Sequence, residues 1–445
     1  MAKLFGTDGV RGVANTELTC DIAFKLGQAA VEFLGKTIVV GKDTRLSGDM
    51  LGNALSAGIM SMGGNVLDAG IIPTPGVAYL VRELHAEGGI VISASHNPPE
   101  YNGIKFFDRQ GFKLTEEAEA EIESFVLAGG ADPESLPSGD AVGVVLPVED
   151  ACELYIQHAI SSLQDKTLDF SKLTIALDTG HGASSLTTAA ALEQLGATVH
   201  VINDSFNGVD INVECGSTHL EPVKELLAET GAHIGIAHDG DADRVMFVDE
   251  LGNEIDGDVV ETVCALDLQK RGLLRDDTVV STVMCNLGFT KAMEAAGISV
   301  VQTQVGDKYV LNEMRKLNAV IGGEQSGHMI FLDHNSTGDG LITALQFLAA
   351  CLRNDQPVSE TAALMQRFPQ ELINVRVADK HAVSENAVVA NAIAEAEAKL
   401  DGSGRILVRP SGTEPLVRVM VEAATHEEAL GYAQELSLIH ISEPT

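Results

Sequence analysis

The strongest constraint on the fold is an alternation of two kinds of segment. Short β-branched runs recur between amphipathic stretches through most of the chain, and that order of elements is the signature of βαβ units. Thr37–Gly41 (TIVVG) reads as a strand, Gly48–Met62 as a helix, and Asn65–Asp68 and Gly89–Ser93 (GIVIS) as further strands. The pattern restarts at Leu173–Asp178 (LTIALD), followed by a helix over Ser184–Leu195 and strands at Thr198–Ile202 and Ala232–Ala237. It restarts again at Thr278–Val283, with a helix to Ala296 and strands at Ile298–Gln302 and Ala319–Gly322. Three comparable α/β units are therefore expected. The breakers in Gly129–Pro147 mark a connection, which puts the first boundary near residue 150.

The end of the chain differs. Val375–Val377, Gly404–Arg409 and Leu416–Val421 read as strands around one alanine-rich helix, Asn386–Leu400, which makes a smaller α+β domain. The expected partition is 1–150, 151–256, 257–370 and 371–445. Thr425 and Glu428 form a capping box for a final helix. Ser437–Thr445 (SLIHISEPT) breaks the helical period and is expected to lie outside the fold.

Charge narrows the partners. Lys plus Arg number 29 against 64 Asp plus Glu, a formal net charge of -35, which argues against nucleic acid or an anionic membrane as the main partner. A small anionic substrate stays compatible, because screening over roughly 8 Å makes local charge count more than distant charge. No stretch approaches the roughly 18 apolar residues of a membrane span, and the opening Met-Ala-Lys-Leu-Phe-Gly lacks the apolar run of a signal peptide, so a cytoplasmic protein is expected. Six cysteines without a C-x-x-C pair fit neither a disulfide scaffold nor a zinc site, and reduced thiols are expected. With no Trp and 4% aromatics, stacking on bases or sugar chains is poorly supplied.

Four segments carry chemistry. Asp239-Gly240-Asp241-Ala242-Asp243-Arg244 follows an apolar strand, and carboxylates at i, i+2 and i+4 can wrap one hard cation, with Mg²⁺ the expected ion. An EF-hand loop beginning at Asp239 would need Gly where Arg244 stands, and a plain solvated turn does not explain why the carboxylates alternate with the smallest residues. Ser93-Ala94-Ser95-His96-Asn97-Pro98 lies just beyond the GIVIS strand, where α/β sheets bind ligands, and a serine there can act as a nucleophile. Gly322-Gly323-Glu324-Gln325-Ser326-Gly327-His328 combines close backbone approach with polar groups for a polyol. Arg409-Pro410-Ser411-Gly412-Thr413-Glu414-Pro415, with Arg418 shortly after, offers hydroxyls and amide donors between arginines, as a phosphate cradle needs. The nucleotide P-loop is absent: Gly35-Lys36-Thr37 has Ala30 where that motif needs its first Gly.

Together with Gly6-Thr7-Asp8-Gly9-Val10-Arg11-Gly12, these loops, in this order, closely resemble those of the α-D-phosphohexomutases from about residue 3 to 436. The resemblance implies a four-domain, heart-shaped protein with three similar α/β domains of mixed sheets and a smaller C-terminal α+β domain around a central cleft. It implies that Ser95 is a phosphoserine, that Asp239, Asp241 and Asp243 hold one Mg²⁺ with that phosphate, and that Glu324 and Ser326 contact the sugar. Arg409, Ser411, Gly412, Thr413 and Arg418 would grip the phosphate that is not reacting. Arg11, Arg244 and Lys105 would neutralise the moving group, with Lys105 and His328 as candidates for proton transfer at the sugar hydroxyls.

The activity so implied converts glucosamine 6-phosphate to the 1-phosphate for amino-sugar nucleotide synthesis, with glucosamine 1,6-bisphosphate or a similar sugar bisphosphate as intermediate and activator. Mannose or glucose phosphates are the alternative substrates. A non-catalytic phosphosugar-binding regulator, the rival from another class, would be expected to lack Ser95 or a carboxylate, and all are present. A homodimer is compatible with this reading.

Overall fold

The structure, a computed structural model, describes residues 4–6, 8–377, 386–410 and 416–441. Two compact units divide the chain: Met1–Val283 with Ser299–Leu364, and Met284–Ile298 with Met365–Thr445.

Among the described residues, the first unit holds three sheets. The first is built from β1 (Val10–Val13), β2 (Thr37–Lys42), β3 (Asn65–Ile71), β4 (Gly88–Ile92), β5 (Tyr101–Asp108) and β6 (Val145–Pro147), in the order β1-β5-β4-β2-β3-β6. The second holds β7 (Thr174–Asp178), β8 (Thr198–Ile202), β9 (Ile234–His238), β10 (Val245–Asp249) and β11 (Glu254–Ile255), in the order β11-β10-β9-β7-β8. The third holds β12 (Thr278–Thr282), β13 (Ser299–Thr303), β14 (Ile321–Gly323) and β15 (Met329–Phe331), in the order β13-β12-β14-β15. All three share one scheme. Parallel strands lie side by side, four in the first sheet and three in each of the others, and the end strand β4, β9 or β14 turns back into an antiparallel neighbour, β5, β10 or β15. Parallel strands are covered on both faces and so run as continuous apolar stretches, as the fully buried β4 and β9 do.

One helix is central to the first unit. Gly340–Asn354 is buried from Gly340 through Cys351, and a helix apolar all round belongs inside a protein. Its N-cap Asp339 accepts from Ile342 N–H (2.9 Å), Tyr155 OH (2.7 Å) and Asn335 Nδ2 (2.8 Å). A Cβ on Gly340 would lie 2.7 Å from both the Arg244 carbonyl oxygen and His238 Nδ1, so only glycine lets the helix start this close to the 239–244 loop.

The second unit is an antiparallel sheet of β16 (Gln370–Arg376), β17 (Arg405–Pro410) and β18 (Leu416–Glu422), in the order β16-β18-β17, with helices Ala387–Leu400 and His426–Ile441. Helix Leu287–Ala295 packs with it, although chain order places that helix among the elements of the third α/β unit. The reason is Glu422. Its buried carboxylate accepts from Asn286 Nδ2 (2.9 Å), Leu287 N–H (3.2 Å) and Arg405 Nε (2.8 Å), which ties the N-terminus of that helix to the sheet.

Two local expectations need correction. The 129–147 connection carries β6, whose residues Val145–Pro147 pair in parallel with Val66–Asp68. The final helix continues through Ile441 rather than stopping at Ser437, because Leu436 is buried in the core of its unit and the Ser437 hydroxyl donates to the Gln434 carbonyl (2.8 Å), a local bond that a helix accommodates. All six cysteines are free, and among the described residues no helix is long and apolar enough to cross a membrane.

Replacing Glu422 by Ala strands three donors at once. The second unit should lose about 3 kcal/mol, read as a lower urea midpoint for the transition that includes it.

Candidate active site

The three motif loops of the first unit occupy equivalent places. SASHNP links β4 to β5, DGDADR links β9 to β10, and GEQSGH links β14 to β15, each at the carboxyl end of the last parallel strand. A ligand site at that edge is the general rule for α/β sheets.

Ser95 sits in the left-handed region, with φ of 53°. For a non-glycine residue this costs about 1–3 kcal/mol and persists only where surroundings enforce it. Its hydroxyl donates to Asp239 Oδ2 at 2.6 Å, across 144 residues of sequence, and its N–H donates to Ser93 Oγ at 2.9 Å. The neighbouring His96 is held neutral, its pKa pushed down to about 4 by burial and by the charges of Arg244 and Arg11. Two arginines near the serine thus create a positive field where an anion would sit.

Asp239, Asp241 and Asp243 are buried, with one oxygen from each within 4.8 Å of the others; among the described residues no other group of His, Cys, Asp and Glu is so placed. The set fits a hard cation on its own evidence. Asp241 Oδ1 and Asp243 Oδ1 are buried without a hydrogen-bond partner, and the donors are all oxygen. Burial drives the Asp239 carboxyl well above the ordinary range, and Asp243 and Asp241 push it the same way. Asp243 is equally buried, yet Lys105 and His328 outweigh that and hold it well below the range.

Lys105, on β5, supplies much of the counter-charge, with Nζ 2.8 Å from Asp241, 3.0 Å from Asp8 and 3.5 Å from Asp243. Burial opposes its charge, but Asp241, Asp8 and Asp243 raise its pKa above the usual lysine value. In this arrangement Lys105 is held as an ammonium, which can donate a proton but has no lone pair with which to accept one. His328 is buried with Nδ1 3.7 Å from Asp243 and Nε2 3.7 Å from Asp307. Burial works against its protonation, and the two carboxylates more than restore it.

Arg11, on β1, pairs with Asp8, and Arg244 lies 3.9 Å from Asp243 with Glu324 adding to the field around it. Glu324 accepts from Gly306 N–H at 3.0 Å, and Ser326 is exposed. In the second unit Arg409 and Arg418 stand opposite each other across β17 and β18. Burial and then Arg418, a like charge in register, lower the pKa of Arg409. Ser411, Gly412 and Thr413 lie outside the described residues.

Sequence reasoning assigned no role to Asp8, Lys113 or Asp307. Lys113 bridges the other two, with Nζ 2.6 Å from Asp8, and so backs both Lys105 and His328. Asp8 was legible inside GTDGVRG. Lys113 and Asp307 stand 194 residues apart with no motif around them, and only the fold joins them.

Comparison with known proteins bears directly on this site. Four models of the phosphoglucomutase/phosphomannomutase family match the chain: alpha/beta/alpha domain I over residues 2–131, domain II over 153–252, domain III over 256–368 and the C-terminal domain over 372–439. A phosphoglucosamine mutase of Carboxydothermus hydrogenoformans is 54% identical over 429 residues, covering 95% of this chain and 96% of that one. A phosphoglucomutase/phosphomannomutase family protein of Burkholderia thailandensis has the same fold, with a TM-score of 0.80 at 23% identity over 98% of each chain. So does an Aspergillus fumigatus N-acetylphosphoglucosamine mutase, solved with GlcNAc-6P and magnesium, with a TM-score of 0.70 at 17% identity over 98% of this chain and 95% of that one.

Mg²⁺ at about 100 times its dissociation constant should stabilise the protein by about 2.7 kcal/mol. A thermal-shift measurement should show that gain, its reversal by chelator, and its near loss in Asp241→Asn; equal melting with and without Mg²⁺ would exclude a metal at the three aspartates.

Proposed function

This chain belongs to the phosphoglucomutase/phosphomannomutase family and is an isomerase, and on that premise we propose that it interconverts glucosamine 6-phosphate and glucosamine 1-phosphate through a phosphoserine at Ser95. The observation that supports the reading is the 2.6 Å contact between Ser95 Oγ and Asp239, which sets a hydroxyl of the first loop against the carboxylates of the second. The choice of amino sugar rests on the 54% identity to a phosphoglucosamine mutase. Domain edges near residues 150, 256 and 370 go with this reading, as does a role in supplying amino-sugar nucleotide synthesis.

In the first half-reaction the bond from phosphorus to Ser95 Oγ breaks and a bond to sugar O1 forms, giving glucosamine 1,6-bisphosphate. The intermediate turns over, its 6-phosphoryl group passes back to Ser95 Oγ, and glucosamine 1-phosphate leaves. His328, with its ring in the neutral form, takes the proton of the attacking O1 hydroxyl and returns it to the departing O6. A proton passes from the Asp239 carboxyl to Ser95 Oγ as the phosphoryl group leaves, and Asp239 Oδ2, already the acceptor for the Ser95 hydroxyl, takes that proton back when the phosphoryl group returns. Asp239, Asp241 and Asp243 would hold one Mg²⁺, which when bound neutralises charge on the phosphoryl group in transfer. Arg11 and Arg244 add positive charge at the same place, and Lys105 keeps the carboxylates from repelling the incoming phosphate.

Glu324 and Ser326 contact the sugar, the carboxylate of Glu324 suiting the ammonium at C2. Arg409 and Arg418, with Ser411, Gly412 and Thr413, take the phosphate that is not reacting.

The reading is tested by intact mass and a coupled assay run together. The active protein should carry one phosphate that Ser95→Ala lacks, and that variant should lose turnover by a factor of at least 10⁴ in order of magnitude. Glucosamine 6-phosphate should show the highest kcat/KM among glucosamine, glucose and mannose phosphates. Normal turnover by Ser95→Ala would overturn the mechanism, whereas a preference for mannose phosphate would overturn only the substrate.

Arg418→Ala should raise KM about tenfold, the loss of one charge-assisted phosphate contact, and release free sugar bisphosphate during turnover. Unchanged KM with no bisphosphate in the medium would leave the second unit without a part in holding phosphate.

A further inference from the structure

We propose that Arg45 is the positioning residue that holds Ser95 in its reactive conformation, by gathering the carbonyl oxygens of the serine loop onto a single buried guanidinium. The inference rests on the mutase reading above and concerns a residue outside all the motifs that carry it.

Arg45 follows β2 in the segment Lys42-Asp43-Thr44-Arg45, and its side chain is fully enclosed, as is that of Asp43. A guanidinium has five N–H donors in a fixed planar fork. Here all five are used. Nε donates to Asp43 Oδ2 (2.9 Å), Nη1 to the carbonyls of Tyr101 (2.9 Å) and Pro98, and Nη2 to the carbonyls of Ser95 (2.9 Å) and Asn97 (2.7 Å). Four carbonyls from Ser95 to Tyr101 thus converge on one group. A lysine has three donors on a single atom and cannot serve two pairs of carbonyls and a carboxylate together.

The other side of the loop is held by the same pair. Asp43 Oδ2 also accepts from Ser93 Oγ (2.6 Å), and Ser93 Oγ accepts from Ser95 N–H (2.9 Å). The serine whose φ is 53° therefore has its carbonyl tied to Arg45 and its N–H tied, through Ser93 and Asp43, back to Arg45. From the second sheet's side Asn212 Nδ2 adds bonds to the Ser95 carbonyl (2.9 Å) and the Asn97 carbonyl (3.2 Å). A left-handed serine persists only where both of its peptide groups are over-determined, and these contacts do that. Relaxation of the serine toward ordinary φ would swing Oγ away from Asp239, its partner at 2.6 Å.

A merely structural arginine and a positioning one predict different kinetics. Misplacing a reacting atom by about 1 Å costs on the order of 10²-fold in rate while leaving the groups that bind substrate where they are. Arg45→Lys should therefore lower kcat about 100-fold with KM for glucosamine 6-phosphate changed less than about threefold. Arg45→Ala should lose at least as much, and added guanidinium ion, filling the vacated site, should restore part of kcat without changing KM. Ser93→Ala, a smaller change, should lower kcat about tenfold, again at constant KM, and decides the matter if the Arg45 variants fail to fold. The wild type is assayed alongside on glucosamine, glucose and mannose phosphates. A folded Arg45→Lys with wild-type kcat, or losses in kcat and KM alike that guanidinium does not reverse, would overturn the proposal and leave the mutase reading standing; so would wild-type kcat in Ser93→Ala if neither Arg45 variant folds. A wild type inactive on all three sugars would overturn both.

Discussion

The first unit depends on keeping several carboxylates buried at one point without unfolding. Asp239, Asp241 and Asp243 are all enclosed, and charges of one sign at such spacing cannot coexist in a protein interior unless cations neutralise them. Lys105 meets Asp241, Asp243 and Asp8; Lys113 meets Asp8 and Asp307; His328 stands between Asp243 and Asp307. The cost of burial is offset by this lattice of opposite charges rather than by any single pair. The proposed chemistry builds on it, since two carboxylate oxygens have no hydrogen-bond partner and a serine hydroxyl already points at the third aspartate. Phosphoryl transfer asks a protein chiefly for positioned charge, and positioned charge is what this arrangement holds.

How three separate stretches of chain reach one place is a matter of repeated topology. Each sheet ends its parallel run with a strand that reverses into an antiparallel partner, and the reversal leaves a short loop at the carboxyl edge. Short loops between paired strands have little freedom, so side chains on them are aimed by the sheet. The buried helix Gly340–Asn354 and the residues just before it then add close packing against two of the loops, with Gly340 against the Arg244 carbonyl and Gly338 against the His328 ring.

The candidate site residues were more legible than the residues that hold them. Alternating carboxylates announced a cation site, and SASHNP and GEQSGH declared themselves by their place after apolar strands. Arg45, Lys113 and Asp307 gave no such signal. A lone arginine after a strand is ordinary in sequence, and nothing marks it as the donor to four carbonyls until Pro98 and Tyr101 have folded over it. Lys105 was noticed but its charge partners were not, because they are three carboxylates drawn from two distant loops. Helix Leu287–Ala295 likewise joined the second unit through Glu422, a contact across more than a hundred residues that no local pattern encodes.

By itself the sequence determined the α/β class, the three restarts of the pattern and the smaller final domain, and it singled out the serine and the three aspartates as candidates, because each is written in local periodicity or in adjacent residues. Only the tertiary structure decided that Ser95 meets Asp239, that Lys105 is held as an ammonium and that a single guanidinium sets the serine's backbone. Those outcomes depend on distances between residues tens to hundreds of positions apart, and on the desolvation that makes a charge at 3 Å decisive in the interior when in water it would count for little.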